Sequence, residues 1–128
     1  MLKIGHYTYF NGKEYRITKV DNHYELISHD SEDLQRGFII DDDLYITEVS
    51  KDDIEEVFLI KTFGIYENYK FRISMEKDEQ YLLWTSEYDL VEKFDLDIRS
   101  QGDYEKWVNK EDVEHIYEIK KPMPDYFD

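Results

Sequence analysis

Polar and apolar residues alternate over short stretches along most of the chain, the period of two expected of half-buried strands. Residues 6–10 (His-Tyr-Thr-Tyr-Phe) and 13–20 (Lys-Glu-Tyr-Arg-Ile-Thr-Lys-Val) flank Asn11-Gly12. Both turn residues tolerate positive φ, so this segment predicts a β-hairpin. Glu67-Asn68 stands at a second such turn, between Ile65-Tyr66 and residues 69–74. Residues 23–28 and 80–85 read as third strands, 44–49 and 104–108 as fourth strands, and 57–66 and 116–120 as closing strands. Residues 31–37 predict a short helical turn with Ser31 as its N-cap and Gly37 as its stop, and residues 86–94 are its mate. Residues 51–55 and 110–114 are one-turn acidic connectors.

The mates follow one another in order, which indicates a tandem repeat. Tyr15-Arg16-Ile17-Thr18 recurs as Phe71-Arg72-Ile73-Ser74, an offset of 71 − 15 = 56. Leu34 and Phe38 recur as Leu90 and Phe94 at the same offset. Residues 49–61 align with 108–120 over thirteen positions without a gap, and Lys51, Asp53, Glu55 and Lys61 recur in kind. Strand alternation does not require those charges to match. The expected organisation is a first β-barrel-like repeat over 1–62, a second over 63–121, and a C-terminal tail over 122–128. The fold class is mainly β, a β-rich α+β chain with about five short strands per repeat. In repeat length and strand order each copy resembles an SH3-like small barrel, which implies two small barrels packed together. The alternative is a single merged α+β domain in which 31–38, 51–57 and their mates are longer helices. The tail carries Pro122 and Pro124, which stop strand pairing, and its Tyr126 and Phe127 are expected to fold back onto a barrel.

Composition settles whether such a chain folds. Lys plus Arg is 16 and Asp plus Glu is 31, a net charge of −15, which alone would suit a disordered chain. The 12 Tyr, 7 Phe and 2 Trp argue otherwise, since each buried aromatic removes roughly 150–250 Å² from water. The charge also disfavours direct binding to nucleic acid or to an anionic membrane. It is spread evenly: residues 1–62 carry 7 − 14 = −7 and residues 63–128 carry 9 − 17 = −8. The absence of cysteine excludes disulfides, thiolate metal sites and cysteine nucleophiles, and a cytoplasmic location is the expectation. No signal peptide or membrane span is expected from the hydropathy pattern.

Catalytic motifs are missing from the sequence. None of the five glycines builds a phosphate loop, and there is no nucleophile elbow. His23 and His29, with Asp30 and Glu32, are the one arrangement that suggests a metal site, and exposed turn residues explain them more simply. Asp41-Asp42-Asp43 lacks the spacing of a calcium loop. No cofactor or metal is expected.

The surface therefore carries the functional expectation. A body of one charge sign steers association with a partner of the other. Asp41, Asp42, Asp43, Glu55 and Glu114 supply acidic groups, and Trp84 and Trp107 are candidate aromatic anchors, with core packing weighed slightly ahead for both tryptophans. In size, acidity and lack of catalytic motifs the chain resembles the small immunity proteins of bacterial polymorphic toxin systems. That resemblance implies a non-enzymatic inhibitor that occludes a basic partner such as a toxin domain. The alternatives are an SH3-like peptide-binding adaptor lined by Tyr7, Tyr9, Tyr66 and Tyr69, and a small metal-dependent enzyme at His23 and His29.

Overall fold

The computed structural model describes residues 2–128. Among them the chain is mainly β, with eleven antiparallel strands, three short 3₁₀ turns and one α-helix. The strands are β1 (Gly5–Phe10), β2 (Lys13–Val20), β3 (His23–Ser28), β4 (Ile39–Asp41), β5 (Leu44–Val49) and β6 (Val57–Tyr66). They continue as β7 (Tyr69–Lys77), β8 (Gln80–Thr85), β9 (Asp97–Ser100), β10 (Asp103–Asn109) and β11 (Val113–Pro122). The helix α1 is Asp89–Phe94, and the 3₁₀ turns are Ser31–Arg36, Lys51–Asp53 and Lys110–Asp112. The last two replace the longer helices of the merged α+β alternative.

Turn chemistry sets the hairpins. Asn11 and Gly12 have φ of 52° and 81°, and Phe10 pairs directly with Lys13. Glu67 and Asn68 have φ of 48° and 70°, and Tyr66 pairs with Tyr69. Positive φ at both central residues gives the tight turn whose twist matches that of the strands. The short strands β4 and β9 escape the alternation reading. Each pairs with a single neighbour, and Ile39, Ile40 and Ile98 on them are exposed, so no buried face marks them.

Two compact units result. The first comprises Gly5–Ile60 with Lys120–Asp128, and the second Lys61–Ile119 with the N-terminal residues through Ile4. This differs from the 1–62, 63–121 and 122–128 division at both termini. Thr62 donates from its hydroxyl to the Lys3 carbonyl at 2.9 Å, which ties the N-terminus to the second unit. Met123 donates from its amide to the Val57 carbonyl at 2.8 Å, which returns the tail to the first. Strands β6 and β11 each run from one unit into the other.

In the first unit the pairing order is β6-β1-β2-β3-β5-β4. Its core gathers Tyr15, Ile17, Leu26, Phe38, Val49 and Val57, and Met123, Tyr126 and Phe127 pack against it. The tail thus folds back as expected, with the Phe127 ring edge-on to Tyr24 at 4.7 Å between centroids. In the second unit the order is β11-β6-β7-β8-β10-β9, around Phe71, Ile73, Leu83, Leu90, Phe94 and Tyr104. Gly64 is required there by close approach, because a Cβ would lie 2.6 Å from Val113.

The helical turns correct two sequence readings. The cap of Ser31–Arg36 is Asp30, whose carboxylate accepts the Glu32 amide at 2.9 Å, so Ser31 is the first residue of the turn. Gly37 ends that turn in the left-handed conformation, as expected, and Asp95 does the same after α1. The Phe38 amide then bonds to the Asp33 carbonyl, and the Leu96 amide to that of Val91. The two left-handed caps are 95 − 37 = 58 residues apart, whereas Leu34 and Leu90 are separated by 56. Leu34 and Leu90 differ in environment: Leu34 is 41% exposed and Leu90 is 7% exposed.

Candidate functional site

The most deeply buried charge is Asp33, which is fully inaccessible. Tyr15 donates its hydroxyl to Oδ1 at 2.7 Å, and Arg36 Nη1 reaches the same oxygen at 2.6 Å. Ser28 Oγ donates to Oδ2, and Lys13 Nζ reaches it at 2.9 Å. Burial pushes the carboxyl up, but the bonds from Ser28, Tyr15, Arg36 and Lys13 outweigh it and hold Asp33 well below the usual carboxylate range. Each carboxylate oxygen takes part in two bonds, so Asp33 braces the first unit.

The residues singled out from the sequence do not converge. Asp41 ends β4, and Asp42 and Asp43 form the exposed turn into β5. Glu55 is exposed and lines a groove of about 280 Å³ with Val57, Met123 and Phe127. Those four acids belong to the first unit, while Trp84, Trp107 and Glu114 belong to the second. Neither tryptophan is a core residue. Trp107 is 37% exposed, and Trp84 is half-buried with its indole N–H donating to Asp103. Trp84 pairs with Glu105 and Trp107 with Leu82, so both rings project from one face of β8 and β10. Of the tyrosines of the adaptor alternative, Tyr66 and Tyr69 pack on Phe94, and Tyr9 meets Phe58 and the Lys120 ammonium. His23 bonds Glu25 at 3.0 Å, and Asp30 pairs with Lys13. Among the described residues no three His, Asp or Glu side chains are placed to hold one metal ion, and no helix is long and apolar enough to cross a membrane.

Glu114 does join a cluster. With Tyr66, Glu67, Asn68, Glu111 and Asp112 it lines a cleft of about 400 Å³. Glu111 also borders a smaller cleft of about 250 Å³ with Glu79 and Asn109. The positive-φ turn at Glu67-Asn68 and the 3₁₀ turn Lys110–Asp112 present these side chains, and none of Glu67, Glu111, Asp112 and Glu114 is ion-paired among the described residues. Glu67, Glu111 and Asp112 were missed in the sequence, where they look like ordinary solvated charges. The signal lay in the two turns that bring them together.

Another concavity of the same unit has the opposite sign. It measures about 530 Å³ and is lined by Lys61, Lys70 and Arg72, by the rings of Phe63 and Trp84, and by Glu87 and Leu90 among others.

No curated protein matches the chain, and no solved structure does. A family model does match, over residues 2–125. That span takes in nearly all of both units, with the acidic cleft and the basic groove, and the chain belongs to the family described as uncharacterised conserved protein UCP033725.

Proposed function

We propose that the chain is a non-enzymatic binding protein that docks a basic protein partner, with the acidic cleft beside Lys110–Asp112 as the docking site. The observation that carries this reading is the set of Glu67, Glu111, Asp112 and Glu114 around one cleft without a cation among them. A Lys or Arg side chain of a partner entering this cleft would meet several carboxylates at once, and opposite charges attract. Tyr66 in the lining offers an aromatic surface to the aliphatic stem of such a side chain. The net charge of −15 adds steering at long range. The mechanism is occlusion: the acidic side chains pair with the basic groups the partner would use for its own substrate. A toxin domain that grips nucleic acid with Lys and Arg is the kind of partner this suits. The two units, with their matching pairing orders, are read as a duplication. No residue role is carried over from SH3-like barrels or from immunity proteins.

A tagged pull-down from the native host, washed first at low and then at high salt, tests the reading. A basic protein held at about 50 mM salt and released near 500 mM is expected, because a charge-driven contact is screened at high ionic strength. Recovery of no basic protein, or of one whose retention ignores salt, contradicts it.

A further inference from the structure

The groove of opposite sign carries an inference independent of the basic-partner reading. Phe63 pairs with Arg72 across β6 and β7, and Arg72 pairs with Trp84 across β7 and β8. The three side chains therefore form one row on one face of the sheet. Lys61 and Lys70 stand two residues from Phe63 and Arg72 on the same face. Lys70 Nζ sits 4.5 Å from the Phe63 ring centre, and the Arg72 guanidinium carbon is 5.9 Å from the Trp84 ring. None of the three cations pairs with a carboxylate among the described residues, although the chain has 31 acids to 16 bases. In addition, Arg72 Nε is buried without a hydrogen-bond partner, an arrangement that native proteins keep rare.

The sheet does not require the two lysines, although an arginine recurs at the place of Arg72. At the same register in the first unit the row is Tyr7, Arg16 and Ile27, with Gly5 and Glu14 where the second unit has Lys61 and Lys70. We propose that the groove lined by Lys61, Lys70, Arg72, Phe63 and Trp84 binds a small organic oxyanion, a carboxylate or phosphate on a compact apolar body. The oxyanion accepts from the two terminal nitrogens of the Arg72 fork, a two-point geometry that lysine cannot reproduce. Lys61 and Lys70 neutralise the remaining charge, and Phe63, Trp84 and Leu90 cover the apolar body. The volume lies in the range of about 300–1,000 Å³ usual for small-ligand pockets. The body's charge of −15 selects against a polyanion, which would extend beyond the three cations into a repulsive field.

Fluorescence of Trp84 in a Trp107→Phe background, titrated with phenyl phosphate, benzoate and neutral benzamide, tests this. At least one of the two anions is expected to give a saturable change below about 10 mM, and benzamide none. The anion that binds tighter identifies the headgroup. Arg72→Lys keeps the charge and is expected to weaken binding about tenfold or more. Lys61→Gln/Lys70→Gln, on side chains outside the core, provides a second variant and is expected to weaken it as well. No saturable response to either anion, an equal response to benzamide, or unchanged affinity in the Lys61→Gln/Lys70→Gln protein overturns the proposal.

Discussion

The two units fasten a helical turn to a sheet by opposite means. In the first, the turn Ser31–Arg36 is held by Asp33, a buried carboxylate gripped by Lys13, Tyr15, Ser28 and Arg36. In the second, Val91 occupies the position that corresponds by its cap bond and packs on an apolar core with Leu90 and Phe94. The surrounding residues follow suit. On β7 Phe71 lacks the hydroxyl that Tyr15 carries on β2, and Tyr69 lies edge-on to Phe94 at 5.1 Å between centroids. A buried charge tolerates no missing partner, whereas an apolar contact degrades gradually with lost volume. One strand scaffold thus accommodates either an ionic or an aromatic brace, provided the whole set changes together.

Substitutions at the corresponding positions break this comparison. The largest effect is expected at Asp33→Ala, about 3–4 kcal/mol of unfolding free energy, because it leaves Tyr15 and Ser28 without their acceptor. Val91→Ala, partly buried, is expected to lose about 1 kcal/mol. Urea unfolding of both variants checks the contrast. The Asp33 carboxyl is depressed in the folded state, so its contribution is complete above pH about 4 and is lost as the pH falls from there towards its folded pKa. The stability gap between the native chain and Asp33→Asn should therefore be constant from pH 7 to 5 and narrow below pH about 4. A gap that widens in acid contradicts the assignment.

Leu34 and Leu90 provide the next test, since the sequence pairs them and the structure separates them. Leu90→Ala is expected to lose about 2–3 kcal/mol, and Leu34→Ala no more than about 0.5–1 kcal/mol. Equal losses would restore the offset of 90 − 34 = 56 at this point. Tyr15→Phe, which imitates Phe71, should lose about 1.5 kcal/mol for its bond to a charged group, and less when combined with Asp33→Asn. The smallest effect concerns the caps. Gly37, at φ of 94°, should lose about 1 kcal/mol on change to Ala, while Asp95 already tolerates the left-handed conformation as a non-glycine residue.

Where local chemistry dictated conformation, the sequence was legible. Asn11-Gly12 located the first hairpin, and β3, β5 and β8 fall at the limits that alternation sets. The cap at Asp30 was misplaced by one residue because Asp30 and Ser31 are both good caps, and only the bond to the Glu32 amide distinguishes them. The shift from 56 to 58 was hidden because Leu34 and Leu90 match in type while the turns rotate them to different faces. The burial of Asp33 had little local signal, since only Arg36 shares its turn, while Lys13 and Tyr15 lie on β2 and Ser28 on β3. The acidic cleft and the basic groove both depended on register. Lys61, Phe63, Lys70 and Arg72 show the period of two along β6 and β7, but only strand pairing sets them beside Trp84. The acidic cleft depended on two turns more than forty residues apart at Glu67 and Glu111.

The central claim is that a defined cleft, and not acidity in bulk, receives a basic partner. Two triple variants separate these ideas because each moves the net charge from −15 to −15 + 3 = −12. One is Glu67→Gln/Glu111→Gln/Glu114→Gln in the cleft, and the other is Asp41→Asn/Asp42→Asn/Asp43→Asn at the turn between β4 and β5. The direct measurement is the affinity of each for the basic protein recovered from the host. The account predicts a loss of about tenfold or more for the cleft variant and less than about threefold for the turn variant. Equal losses in the two would contradict it and leave only the overall charge at work.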